Sequence, residues 1–307
     1  MSYFRDLGVE SSAVRFALVT HWDDDHIRGI ADVVEAAPSC AVAVSAALHK
    51  REILAFVIEN SGLGGVGSGV SELRDVLRIV HERGTPLLWA KVNTMLHPLP
   101  PGLAPEIVAL SPSDDALGRS LEALIEDATG LEGSVPRRFR APEGPNGASV
   151  AVSVKKGGIV MLLGADLETS ANPDAGWDAV LKYAAPATAA SMVKVPHHAS
   201  AGADHDGIWE TLAEPQPVAI ITPWSRGRKF LPTEADLVRL SGVSDKVYLT
   251  AVPSLARIKK DPAVNKLIQR LHGEKVEELR GWGHVRARRR PDEAEWRVEL
   301  DGDAVHV

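Results

Sequence analysis

The chain has 307 residues, 45% of them hydrophobic, with 34 Lys and Arg against 41 Asp and Glu for a net charge of −7. That apolar content suffices for a substantial core, and the negative balance excludes a surface that attracts nucleic acid over its whole extent. A single cysteine, Cys40, excludes an intrachain disulfide, and no stretch approaches the ~20 apolar residues of a membrane-spanning helix.

Residues 1–6 lack an apolar signal core, so a cytoplasmic protein without a membrane partner is expected. Residues 3–7 have room for a short helix, and residues 14–20 (VRFALVT) read as a strand. The strand runs into His21-Trp22-Asp23-Asp24-Asp25-His26, ahead of a helix predicted over 27–36. So many polar groups are not tolerated in a core without partners. A turn tolerates them as solvated residues, but the spacing H-x-D-x-D-H suits a metal. Alternate residues of an extended turn can aim two side chains at one point and the next two at a neighbouring point. A strand follows at 41–45, with Cys40 before it as a small core residue, and then a helical stretch at 46–59. The glycine-rich run 62–69 lacks the Lys-Ser/Thr ending of a phosphate-binding loop and reads as a flexible loop. An amphipathic helix is predicted over 71–81, capped by Ser71 with Glu72 in its first turn.

Strands are predicted at 86–91 and 106–110, and a helix at 113–129. Residues 132–147 form a long loop holding Arg137, Arg138 and Arg140, and long loops inside compact domains are often functional. A strand at 148–154 precedes a buried strand, 157–163 (GGIVMLL), that runs into Gly164-Ala165-Asp166-Leu167-Glu168. A third strand leads into Val195-Pro196-His197-His198-Ala199-Ser200. A strand at 218–222 is followed by Trp224-Ser225-Arg226-Gly227-Arg228-Lys229, then a helix from Pro232 to Leu240 and a strand at 246–250. The tail, 254–307, reads as a basic helix over 263–271 and a β-hairpin. Its basic residues between Arg257 and Arg290 either bind a polyanion or form a solvated surface. No internal repeat of the solenoid or propeller kind is present. Pattern alone gives α/β or α+β.

The motifs T-H-W-D-D-D-H, L-L-G-A-D-L-E and V-K-V-P-H-H-A-S, in that order and each after a strand, resemble the metallo-β-lactamase superfamily. The resemblance is nearest to its ComEC-type branch and extends over about residues 7–200. The widespread first motif of the superfamily is H-x-H-x-D-H; Asp23 stands at its second His, a change that this branch shares. Arg28 and Ala199 stand where the branch often has Gly, and Gly164-Ala165 replaces Thr-Gly. About forty residues usually precede the first motif, so the first strands are expected to be missing and one sheet to have an open edge near residues 14–20. Either the start was assigned late, the chain is a fragment, or the fold is closed differently.

The resemblance implies an α+β fold, a four-layered αββα sandwich over residues 1–253 with the small β-rich appendage 254–307. It implies two divalent metal ions. His21 and Asp23 would face the first, Asp25 and His26 the second, with Asp166 bridging and His198 completing the second site. Asn146 is the matching position for a further ligand of the first. This oxygen-rich set favours Mn or Zn ahead of Mg. Two such ions ~3.5–4 Å apart activate a water and clamp a phosphoryl or carbonyl oxygen. Asp25 would also orient the water, and His197 would lie against substrate. The implied activity is that of a phosphodiesterase or nuclease, with Arg137, Arg138, Arg140, Ser200, Ser225 and Arg226 close to phosphate. Trp224 either stacks a base or sits in the core. The alternatives are hydrolysis of another ester, thioester or lactone, and a non-catalytic metal-binding protein that meets a protein partner, or itself, at the exposed sheet edge.

Overall fold

The computed structural model describes residues 7–48, 68–96, 105–119, 145–184, 186–226, 229–252 and 283–307. These residues form a mixed α/β structure with two main sheets. The small sheet comprises β1 (Phe16–Val19), β2 (Ala41–Ser45) and β3 (Leu87–Ala90), all parallel, in that spatial order. Between β1 and β2 lie two short helices, α1 (Asp24–Ile27) and α2 (Ile30–Ala36); between β2 and β3 lies α3 (Ser68–Arg83).

The large sheet has eight strands. In chain order these are β4 (Thr94–Met95), β5 (Glu106–Ala109), β6 (Val152–Lys156), β7 (Ile159–Leu163), β8 (Ala190–Lys194), β9 (Ala213–Ile221), β12 (Val247–Leu249) and β15 (Val305–His306). They are arranged β15-β12-β9-β8-β7-β6-β5-β4. The strands from β7 through β12 are parallel to their neighbours, and both flanks are antiparallel. Helix α4 (Gly176–Tyr183) precedes β8, and α5 (Glu234–Ser241) precedes β12. Two hairpins complete the description: β10 (Trp224–Arg226) with β11 (Lys229–Leu231), and β13 (Gly283–Arg288) with β14 (Arg297–Gly302).

Period-two alternation sorts the strand side chains between layers. Phe16, Leu18, Ala43, Leu88 and Ala90 share one core with Ile107, Ala109, Val152, Val154, Met161 and Leu163 of the large sheet. Their chain neighbours Val19, Val42, Val44 and Trp89 point the other way, onto Val34 of α2 and Leu73, Val76, Ile79 and Val80 of α3. On the far face of the large sheet, Val160, Leu162 and Val193 pack on Trp177 and Val180 of α4, and Ala219, Ile221 and Val247 pack on Leu240 of α5. Strands covered on both faces are apolar at nearly every position, which is why they are continuous hydrophobic runs in the sequence. Trp177 is fully buried, and its Nε1–H donates to Leu167 O at 2.9 Å; truncating such a ring costs about 3–5 kcal/mol.

Several elements differ from the sequence expectations. The helix expected over 27–36 is two helices, because Gly29 adopts φ 85° and breaks the run. The first begins at Asp24, so the acidic motif lies on a helical turn rather than an extended one. Ser71 lies inside α3 and not at its cap, and Gly69, expected in a loop, is the helix's second residue. The strand expected from 148 starts at Val152, since Pro145–Ala148 is a 3-10 turn. β9 begins at Ala213, hidden in the sequence by Pro215 and Pro217. The segment after Pro223, for which the sequence indicated no strand, is a hairpin. The tail's last strand, β15, pairs with β12 and so belongs to the large sheet. Cys40 is buried. The expected helices at 3–7 and 263–271, most of those at 46–59 and 113–129, and the 253/254 boundary lie outside the described residues. No helix among the described residues is long and apolar enough to cross a membrane.

Candidate metal centre

Ligand-type side chains gather at the carboxyl ends of β1, β7 and β8. Thr20 O, just past β1, accepts from Val150 N at 3.1 Å and ties the small sheet's exit to the large sheet. His21 follows, almost fully buried. Its Nδ1 lies 3.1 Å from Thr20 Oγ1 and 3.3 Å from Ser149 Oγ, so Nε2 faces the cluster. Ser149 Oγ also accepts from Asp166 N at 3.1 Å, linking the first motif to the second. Asp23 is the N-cap residue of α1, yet its side chain makes no cap hydrogen bond. Asp24, between the ligand-type residues, points elsewhere. Its Oδ1 accepts from Gly69 N at 2.5 Å and holds the start of α3 against the motif.

Gly164 ends β7 with no room for a side chain, because a Cβ there would lie 2.8 Å from Pro196 Cβ. This close approach brings Asp166 against the turn after β8. That turn is strained: His197, His198 and Ala199 have φ of 42°, 55° and 68°. Left-handed non-glycine residues cost of order 1–3 kcal/mol each and persist where the surroundings over-determine them. Here His197 N donates to Ala165 O and Ser200 N to His197 O, each at 2.9 Å. His198 Nδ1 lies 2.8 Å from Thr222 O. A carbonyl can only accept, so Nδ1 carries a proton and Nε2 is the nitrogen that faces the cluster, offering a lone pair when the ring is neutral.

The ligand atoms of Asp25, His26, Asp166 and His198 all lie within 4.8 Å of one another. His26 Nε2 is 3.0 Å from Asp166 Oδ1, and His198 Nε2 is 3.1 Å from Asp25 Oδ2 and 3.4 Å from Asp166 Oδ2. His21 Nε2 stands farther out, 3.9 Å from Asp166 Oδ2 and 4.0 Å from Asp23 Oδ2. The Nε2 atoms of His21, His26 and His198 are buried, and none has an aligned hydrogen bond despite the short approaches. Buried polar atoms without partners are rare. Three of them converging on carboxylates, each on an imidazole, fit a divalent cation by position and by donor chemistry.

Titration behaviour follows from the crowding. Burial, helped by His26 and opposed by Asp166, pushes the His21 imidazole down to about 4. Burial, then Asp25 and Asp166, pushes the Asp23 carboxyl up to about 6. Burial opposes ionisation of Asp166 and Asp25 as well, but His198 and His26 outweigh it and hold both below the usual carboxylate range. Burial also disfavours the His198 cation, yet Asp166 and Asp25 raise it to about 9.

The other expected site residues fall into three groups. His197 is beside the cluster, with Nε2 at 3.9 Å from Asp166 Oδ2 and Nδ1 at 2.6 Å from Glu168 Oε1. Asn146 is against these two, its Nδ2 3.2 Å from Glu168 Oε1 and 3.4 Å from His197 Nε2, while its buried Oδ1 has no partner. Trp224 stacks on His198, with ring centroids 6.2 Å apart and planes at 24°; it is a neighbour of the site and not a core residue. Ser200 Oγ accepts from Gly202 N and caps a 3-10 turn, and Ser225 is exposed on β10. Arg137, Arg138, Arg140, Arg228 and the side chain of Arg226 lie outside the described residues.

Ser149, Thr222 and Glu168 were not assigned roles by sequence reasoning. Glu168 had a signal, its place two residues after Asp166; Ser149 and a backbone carbonyl had none. Glu168 also lines a cleft of about 280 Å3, with Arg119, Gly147, Ser170 and Asn172. No protein-family model matches the chain and no curated protein matches it, so the functional reading stands on the geometry of this cluster.

Proposed function

We propose that this chain is a metal-dependent hydrolase of the metallo-β-lactamase type that cuts phosphodiesters. The convergence of Asp25, His26, Asp166 and His198 within 4.8 Å, from three separate strand ends, carries the reading. The packing order supports it, because α2 and α3, the small sheet, the large sheet, and α4 with α5 read as the layers of an αββα sandwich. In this reading Asp25, His26, Asp166 and His198 would hold one ion, and His21, Asp23 and Asp166 would hold another with Asn146 nearby. Zn2+ or Mn2+, ahead of Mg2+, supplies Lewis acidity and an activated water near neutral pH.

The chain's own groups do the rest. Asp25 orients the attacking water. Thr222 O fixes the His198 tautomer. Glu168 holds Nδ1 of His197 so that this imidazole faces substrate, and Trp224 offers a ring face to a base or sugar. The basic residues Arg137, Arg138, Arg140 and Arg226 draw in a polyanion.

Turnover of bis-p-nitrophenyl phosphate tests the activity. The protein stripped by chelator is expected to be inactive and the protein reloaded with Mn2+ or Zn2+ active; equal absence of turnover in both contradicts it. On single-stranded DNA, KM is expected to rise with salt as counterion release weakens binding; a flat salt response with turnover of a neutral ester alone identifies an esterase or lactonase. A second reading, a non-catalytic binding protein, draws on β1, which pairs only with β2 among the described residues and leaves an edge for a partner strand. The complete ligand cluster favours the enzyme.

A further inference from the structure

The left-handed turn that aims His197 and His198 is held from behind by one side chain of α5. Arg239 is partly buried, and its guanidinium spans three elements. Nη2 donates to Ala199 O at 2.9 Å and Nη1 to Asp236 Oδ1 at 2.8 Å, while Nε is ion-paired with Asp204 Oδ2 at 2.8 Å without an aligned hydrogen bond. Each anchor is itself fixed. Asp236 is buried and accepts from Thr233 N and Oγ1, closing the capping box of α5. Asp204 accepts from Trp209 Nε1 at 3.0 Å. Ala199 O is the carbonyl of the residue directly after His198, in the peptide shared with Ser200. A planar fork meets this combination of one carbonyl and two carboxylates, whereas an ammonium cannot reach all three at once.

We infer that Arg239 is a positioning residue for the metal centre, locking the His197–His198–Ala199 turn so that His198 Nε2 meets Asp25 and Asp166; this rests on the metal-centre reading above. Arg239 touches no ligand side chain. Its effect passes through one backbone carbonyl into the strained segment. Partners behind metal ligands typically change metal affinity by about 10–100-fold when removed.

The test compares Arg239→Met and Arg239→Lys with Val80→Ala, a core truncation in α3 on the opposite layer, by Zn2+ titration of the chelator-stripped full chain. Hydrogen exchange of the Ser200 amide, which bonds to His197 O, is followed in the metal-free proteins. The expected result is Zn2+ binding weaker by at least tenfold in Arg239→Met, a smaller loss in Arg239→Lys, and faster Ser200 exchange in both. Val80→Ala is expected to lower Tm with Zn2+ affinity within threefold of wild type. Unchanged affinity and unchanged Ser200 exchange in both Arg239 variants overturn the inference, as does an equal affinity loss in Val80→Ala. Should Arg239→Met not fold, Arg239→Lys carries both readouts. A wild type that binds no Zn2+, with Ser200 exchange still faster in the variants, removes the metal-centre reading and leaves Arg239 as the support of the turn.

Discussion

The two halves of the candidate metal centre are built differently. His21 to His26 come from a strand exit and one turn of regular helix, where no residue has a positive φ. Spacing along α1 does the aiming, and Asp24 pins the turn to α3. His197 and His198 come from three successive left-handed residues that local preference alone would not hold. Their aim depends on contacts from distant elements: Ala165, Thr222 and Arg239. Asp166 belongs to neither half and touches both, with His26 on one oxygen and His198 on the other. The first half therefore has a regular local backbone, steadied by Ser149 and Gly69 from a distance, whereas the backbone of the second is itself held by tertiary contacts, so damage to each should differ in kind.

The largest effect should come from Asp166→Ala, which removes the group shared by the halves. Loss of nearly all bound metal and an activity drop of about 100-fold or more are expected by elemental analysis and phosphodiester turnover. Native metal content in the purified variant would end the shared-carboxylate account. Next come His198→Ala and His21→Ala. The first should weaken the Asp25–His26–Asp166 group by tens of fold, and the second should leave that group's affinity nearly native; calorimetric titration with Mn2+ separates them. Equal losses would show that the two halves are not distinct sites.

Asp24→Ala should cost about 1 kcal/mol of stability, the net scale of one ordinary hydrogen bond, because the exposed carboxylate stays largely solvated. It should loosen the first half while the Ser200 amide keeps its protection. Urea unfolding measures the cost, and exchange measured on both sides of the centre checks its confinement. A further test is pH dependence in the metal-free protein. The His198 cation is favoured in the folded state, with its pKa raised to about 9 by Asp166 and Asp25 against burial. Its contribution is therefore fully present below about 6.5, the unfolded value, and is lost as pH rises toward 9. His21 has the opposite sign: lowered to about 4 by burial, it contributes above about 6.5 and is lost as pH falls toward 4. His198→Gln should flatten the alkaline limb of a stability–pH curve and, because His198 also helps to hold Asp166 and Asp25 ionised, move the acid limb to higher pH; an unchanged alkaline limb would refute the assignment.

What the sequence revealed and what it hid follow the same division. Ligand-type residues at His21, Asp25, His26, Asp166 and His198 were legible because each follows an apolar strand within a short motif. The strands of the small sheet were legible because burial on both faces makes them continuous apolar runs. The breaks were less so. Gly29 ends a helix through its backbone conformation, and Ser149 links two motifs through a hydroxyl that could equally have been solvated. Arg239 lies forty residues from the turn it holds, and nothing in its surroundings marks it. Thr222 acts through a carbonyl that every residue has. Contacts of this sort are set by the packing of β8, β9 and α5, and no local pattern encodes them.

The central claim is that Asp25, His26, Asp166 and His198 form a metal site. Titration of the chelator-stripped wild-type chain with Zn2+ and with Mn2+, with bound metal counted after dialysis, tests it most directly. Saturable binding of at least one ion per chain, lost in His198→Ala, is the predicted result. A wild-type chain that retains neither ion at any ratio would contradict the account.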